Sequence, residues 1–214
     1  MAEAKTCRFA GNDYCATLPE ELRVRMCEHC HIREYPKGTV FPVTKWRDRL
    51  AVLARGITML GQFPDLERPT ACRTAGIATT GTILSLGGLI THENCPRDLA
   101  ELDAYRMGEE NICLLDTAVA VFDVEFVEEL YRTDIAFVRS LLANTSWMCG
   151  IEGELFHREQ GSARSSVRYV VHLCKRKGLP QLTHAQIALI CNRSRPVVTQ
   201  ELHRLLVEEP ELFE

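Results

Sequence analysis

The 214-residue chain has no run approaching about 18 uninterrupted apolar residues, the length a membrane-spanning helix needs. Its first residues, MAEAKTCRFAGNDYC, lack the apolar core of a secretory signal. A soluble, cytoplasmic protein without a membrane partner is expected. Internal repeats and low-complexity segments are missing too, which argues against a solenoid. No nucleophile stands with a base at recognisable spacing and no glycine-rich loop is built to cradle a phosphate, so no residue is nominated as catalytic and no enzyme is expected. Between Lys37 and Phe122 there is one histidine, His92, too few for a metal enzyme that gathers histidines and a carboxylate on barrel strands.

What is present is a globular composition, 46% hydrophobic, with a net charge of -4 that is unevenly spread. From Gly161 to Leu206 eight basic residues (Arg164, Arg168, Lys175, Arg176, Lys177, Arg193, Arg195, Arg204) face one acid, Glu201, a local +7 that leaves -11 elsewhere. A basic C-terminal module supplies the contacts that phosphate binding needs, and the acidic remainder has no reason to approach DNA. The ten cysteines would suggest disulfides in a secreted chain, but in a reducing cytosol thiols are the default. Cys113, Cys174 and Cys191 lie in apolar runs and read as small core residues.

Three regions follow from the patterning. Residues 1–123 hold a helix candidate, Leu18 to Cys30, with Leu22 and Met26 at spacing four and Thr17 as cap, then short β-rich runs cut by turns. These runs predict a compact antiparallel β sandwich or barrel with the helix covering it. Residues 124–160 carry a long apolar stripe, Leu130, Phe137, Leu141, Met148, Ile151 and Leu155, behind a possible cap at Asp123. A stripe that long predicts a dimerisation helix meeting its own copy across a two-fold axis. Residues 161–214 resume the helical pattern after a hinge at Gly161 and form the basic module.

Within that module LTHAQIALICNRSRPVVTQELHRLL reads as two helices about a tight turn. Thr183 caps the first, Asn192 suits the turn, and Ser194 caps the second with Pro196 in its first turn. Val198, Leu202, Leu205 and Leu206 form one stripe; Arg195, Val197, Thr199, Gln200 and Arg204 fall largely outside it. Arginine and glutamine near the start of an exposed helix are suited to purine edges in a major groove, so the segment predicts a helix-turn-helix. An ordinary helical hairpin with a solvated polar face is the alternative.

Thr183 to Gln200 follows without gaps the pattern T-x-x-x-I-A-x-x-x-x-x-S-R-x-x-V-x-R, except at its last position, and resembles the Crp/Fnr family of bacterial transcription regulators. The segment HCHIREYPKGTVF from His29 to Phe41 is similar to that family's entry into its barrel, and VAVFDVEFVEEL, Val119 to Leu130, to the last strand running into the dimer helix. The resemblance implies an α+β fold: an N-terminal cupin-like sensor barrel of double-stranded β-helix type, a long dimerisation helix, and a C-terminal winged-helix-type helix-turn-helix. After Pro210 the text leaves the wing short or absent. A homodimer on double-stranded DNA is implied, on a near-palindromic operator, with RNA polymerase and a small-molecule effector as further partners. Ser194 and Arg195 stand where the family has its backbone-contacting serine and base-reading arginine; Thr183, His184, Pro196, Val197, Thr199, Gln200 and Arg204 complete the expected DNA-facing set. Pro196 replaces a frequent glutamate and Gln200 a frequent arginine, so the half-site should differ from the best-known one.

The effector is not legible. Members that bind cyclic AMP carry Gly-Glu and then Arg-Ser or Arg-Thr; here Gly87-Gly88 lacks the glutamate and Arg97 precedes Asp98, which argues against cyclic AMP. Gly87, Gly88 and Arg97 remain the candidate effector residues. His92 and Cys95 share a loop with nitrogen and sulfur ligands, the weak metal candidates. Cys27-Glu28-His29-Cys30-His31 matches the C-x-x-C-H haem-attachment pattern and motivates the rival reading, a haem or iron–sulfur electron-transfer protein. Control by an effector or by redox state sensed in the N-terminal barrel is expected, and no cofactor is assigned.

Overall fold

The run Leu50–Arg55 is apolar on both alternating faces, as a strand must be when something packs on each side of it. In the computed structural model, which describes residues 12–46, 49–62, 73–86, 109–147 and 161–214, it is the third of eight strands. These are β1 (Cys30–Tyr35), β2 (Val40–Pro42), β3 (Leu50–Arg55), β4 (Ile57–Gln62), β5 (Arg73–Thr79), β6 (Ile83–Leu86), β7 (Glu109–Cys113) and β8 (Thr117–Phe122). They form two antiparallel four-stranded sheets, β1-β8-β3-β6 and β2-β7-β4-β5, the strand order of a jelly roll.

Period-two alternation sorts the side chains of β3 and β8. Ala51, Leu53, Val119 and Val121 form one cluster, joined by Trp46 and by Ala78 of the second sheet. Leu50, Val52, Ala54, Ala118, Ala120 and Phe122 point the other way, into a helical layer. That layer comprises α1 (Asp13–Ala16), α2 (Glu20–Glu28), α3 (Val124–Thr133) and α4 (Ile135–Ser146). Burying each such leucine or valine is worth about 1.5–3 kcal/mol. Tyr14, fully buried, ties the layer together by a 3.2 Å hydrogen bond between its hydroxyl and Ser140 Oγ, and Asn12 Nδ2 donates to Leu53 O at 3.0 Å.

Several expectations need correction here. The covering helix exists with Leu22 and Met26 buried, but it starts at Glu20 and Pro19 occupies its N-cap position. Thr17 instead closes α1, its hydroxyl donating to Tyr14 O. The dimerisation helix is not continuous at its start. Asp134, extended at φ -119° and ψ 99°, ends α3 and caps α4 by accepting from the Ala136 and Phe137 N–H groups. Leu130, Phe137 and Leu141, expected at the dimer seam, are buried in the protomer's own helical layer. The exposed apolar residues of α3 and α4 are Tyr131, Ile135 and Leu142, with Trp147 just beyond. Met148, Ile151 and Leu155 lie outside the described residues. Asp123 stands at the N-cap position of α3 without a capping bond; its carboxylate meets His31 Nε2 at 2.9 Å and His29 Nδ1 at 3.6 Å.

The C-terminal module consists of α5 (Ala163–Arg176), α6 (His184–Ile190) and α7 (Arg195–Glu208), followed by a single 3-10 turn, Pro210–Leu212. Ser162 caps α5 through the Ser165 N–H, and Gly178 at φ 60° ends it, with the Leu179 N–H returning to Cys174 O. Val167, Val170, Ile187, Ile190, Val198, Leu202 and Leu205 make its core, which is continuous with Ile57 and Met59 of β4 and with Leu114. The layer order is therefore helices, first sheet, second sheet, C-terminal module. Among the described residues no helix is long and apolar enough to cross a membrane.

Candidate nucleic-acid interface

The two helices of the expected reader are fixed by local chemistry. Thr183 and Gln186 form a reciprocal capping box: Thr183 Oγ1 accepts from the Gln186 N–H and Gln186 Oε1 accepts from the Thr183 N–H. The sequence carries this signal as T-x-x-Q, with the glutamine adding to what the threonine alone indicates. The turn closes with the Cys191 N–H on Ile187 O and the Arg193 N–H on Ala188 O at 3.0 Å. Asn192 takes the left-handed conformation this closure requires, at φ 52°. Ser194 then stands at the N-cap of α7 with no side-chain capping bond, and Pro196 sits in the first turn.

This start sets which face of α7 is presented. Val198, Leu202 and Leu205 are buried, whereas Ser194, Arg195, Pro196, Val197, Gln200 and Arg204 are exposed together. Leu206, expected in the apolar stripe, is 52% exposed, because the helix turns it away from α5. His184 and Thr199, both half-buried, bond each other across the two helices, with Nδ1 to Oγ1 at 2.9 Å. They brace the reader as well as bordering it.

Three comparisons bear on this arrangement. No protein-family model matches the chain, and no curated protein does. Solved structures do. A cyclic nucleotide-binding domain containing protein from Listeria monocytogenes EGD-e aligns over 85% of this chain and 84% of its own, with TM-score 0.59 at 10% identity. FixK2 from Bradyrhizobium japonicum aligns over 84% and 85%, with TM-score 0.57 at 14% identity. CprK complexed with OCPA aligns over 90% and 86%, with TM-score 0.50 at 16% identity. The fold is that of the Crp/Fnr regulators.

Within this Crp/Fnr fold the charge of the C-terminal module differs from the expectation. Beyond Leu206 come Glu208, Glu209, Glu211 and Glu214, so residues 161–214 carry eight bases against five acids. Two of the added acids fold back onto the bases. Arg164 pairs with Glu208 and Arg168 Nε meets Glu209 Oε2 at 2.6 Å, while Lys175 donates to the backbone carbonyl of Glu211. Arg204 pairs with Glu201 at 2.9 Å. Lys177 pairs with Asp13 of the helical layer. At the turn and the start of α7, Arg193 and Arg195 are exposed.

The sensor candidates of the Crp/Fnr resemblance, Gly87, Gly88 and Arg97, lie outside the described residues, as do the metal candidates His92 and Cys95. Cys27 lies in the last turn of α2 and Cys30 begins β1, neither in a disulfide, and the His31 ring is engaged by Asp123. His29 stacks on Phe126 with ring centroids 4.0 Å apart. Among the described residues no three His, Cys, Asp or Glu side chains converge as metal ligands. Cys174 and Cys191 are buried, and desolvation pushes each thiol from 9.0 up to about 11. Both are closed to easy thiolate chemistry.

Proposed function

We propose that this protein is a sequence-specific DNA-binding transcription regulator that acts as a homodimer on a near-palindromic operator. The supporting observation is the exposed start of α7, with Ser194, Arg195, Pro196, Val197 and Gln200 on one surface and a packed face behind them. A helix presented that way enters a major groove by its N-terminal end, and two copies on a dimer read half-sites about 34–36 Å apart. Arg195 has the forked donors for guanine O6 and N7, and Gln200 the amide for adenine N6 and N7. Ser194, Thr183 and His184 take phosphate contacts, and Arg204 a phosphate contact in exchange for Glu201. Val197 offers a methyl surface to thymine, and Pro196 carries no N–H to bond a base or phosphate.

The dimer seam in this reading is the exposed face of α4, where Ile135, Val138 and Leu142 stand at heptad spacing. The jelly roll holds a small-molecule effector other than cyclic AMP, with Gly87, Gly88 and Arg97 as its candidate contacts. RNA polymerase is the further partner on DNA, and the protein works in the cytoplasm. Selection of bound duplexes from a randomised library, followed by sequencing, tests the reading. An enriched inverted repeat is the expected result; retention independent of sequence in every preparation, with and without cell extract metabolites, overturns it.

A further inference from the structure

Among the described strands β5 is the edge of its sheet, so its outward N–H and C=O groups need partners. At Thr74 they find one side chain. The Thr74 N–H donates to Asn192 Oδ1 at 2.9 Å, and Asn192 Nδ2 donates to Thr74 O at 3.1 Å. One amide thus reproduces both hydrogen bonds of an antiparallel strand pair. Thr74 Oγ1 adds a 2.7 Å bond to Leu189 O, at the end of α6. Asn192 reaches the strand from the left-handed position that also makes the helix-turn-helix turn. Gln186, the capping-box residue, donates to Leu114 O in the same seam, and Ile57 and Met59 share a core with Ile187 beneath it.

This contact stands two residues from Ser194. Two residues span at most about 7 Å, whereas a recognition helix in a major groove about 12 Å wide has a phosphate strand on either side. The sheet edge that Asn192 holds therefore stands close to the start of the recognition helix. Charge opposes a close approach of the sensor part to DNA, since residues 1–160 hold 17 Lys and Arg against 24 Asp and Glu, a net -7.

We propose that Asn192 and Thr74 form a clasp that parks the DNA module on the sensor sheet in a DNA-excluding position, and that its opening admits the duplex. The inference rests on the DNA-binding reading and adds the contact that controls it. Two variants separate the roles. Asn192→Gly keeps the left-handed backbone and deletes the amide. Thr74→Val deletes the hydroxyl on the sensor side, so a change in DNA affinity there cannot come from a lost DNA contact.

Affinity for the selected operator is read by fluorescence anisotropy, and exchange of the Thr74 amide hydrogen by NMR without DNA. The expected result is that Thr74→Val, which removes one hydrogen bond, binds about fivefold tighter than wild type, and that Asn192→Gly, which removes two, binds at least as tightly as that and exchanges the Thr74 amide faster. Faster exchange with unchanged or weaker operator binding by Thr74→Val overturns the clasp and leaves the DNA reading standing. Unchanged exchange in Asn192→Gly overturns it too. If no operator is enriched by wild type or either variant, the DNA-binding reading falls, and the clasp's regulatory role with it.

Discussion

Arg195 is the first residue of α7 and projects into solvent beside Ser194, so its value is realised only on DNA. Arg195→Ala should leave thermal stability unchanged, lower affinity for the selected operator by about 1–3 kcal/mol, and leave binding to random duplex nearly intact. Equal loss on both, measured by competition anisotropy, removes Arg195 from the base-reading role. Cys174 and Cys191 make a different prediction at this scale. Burial raises each thiol from 9.0 to about 11, so between those pH values the unfolded chain gives up protons that the folded chain retains. Their contribution to stability is therefore whole below pH 9 and falls as pH rises toward 11. Chemical denaturation from pH 8 to 11 should show the decline, and replacing both residues by alanine should flatten that part of the curve. Tyr14 titrates in the same sense, because burial pushes its phenol up.

Elements follow from capping and periodicity where the chemistry is local. Thr183→Ala removes one half of the capping box and should cost about 1 kcal/mol, seen as a lower thermal midpoint, with Thr183→Ser restoring it. The helix-turn-helix is legible for that reason: Thr183 caps through the Gln186 N–H three residues on, and Asn192 makes the turn with its own left-handed backbone. The break at Asp134 was not, because Leu130, Phe137 and Leu141 keep helical spacing across it, and spacing is blind to one extended residue. Nor could spacing choose between two apolar faces. Leu130, Phe137 and Leu141 lie on one, Ile135 and Leu142 on the other, and it is the sheet behind them that decides which goes inside. Leu142→Glu should therefore give a monomer by sedimentation velocity with an unchanged thermal midpoint; a dimer at micromolar concentration would place the seam elsewhere.

At the scale of the molecule, alternating apolar runs foretold the strands, and the strand order came from pairings far apart in the chain that no local pattern records. The same is true of the clasp: Thr74 and Asn192 are 118 residues apart, and neither motif names the other. That separation also has a price in time. At roughly 5–20 residues per second, synthesis takes about 6–24 s to travel from Thr74 to Asn192. The jelly roll is complete only at Phe122, so for about 3.5–14 s of that interval, while the next 70 residues are made, it stands with its β5 border open to the nascent strands of neighbouring chains until the C-terminal helices seal it.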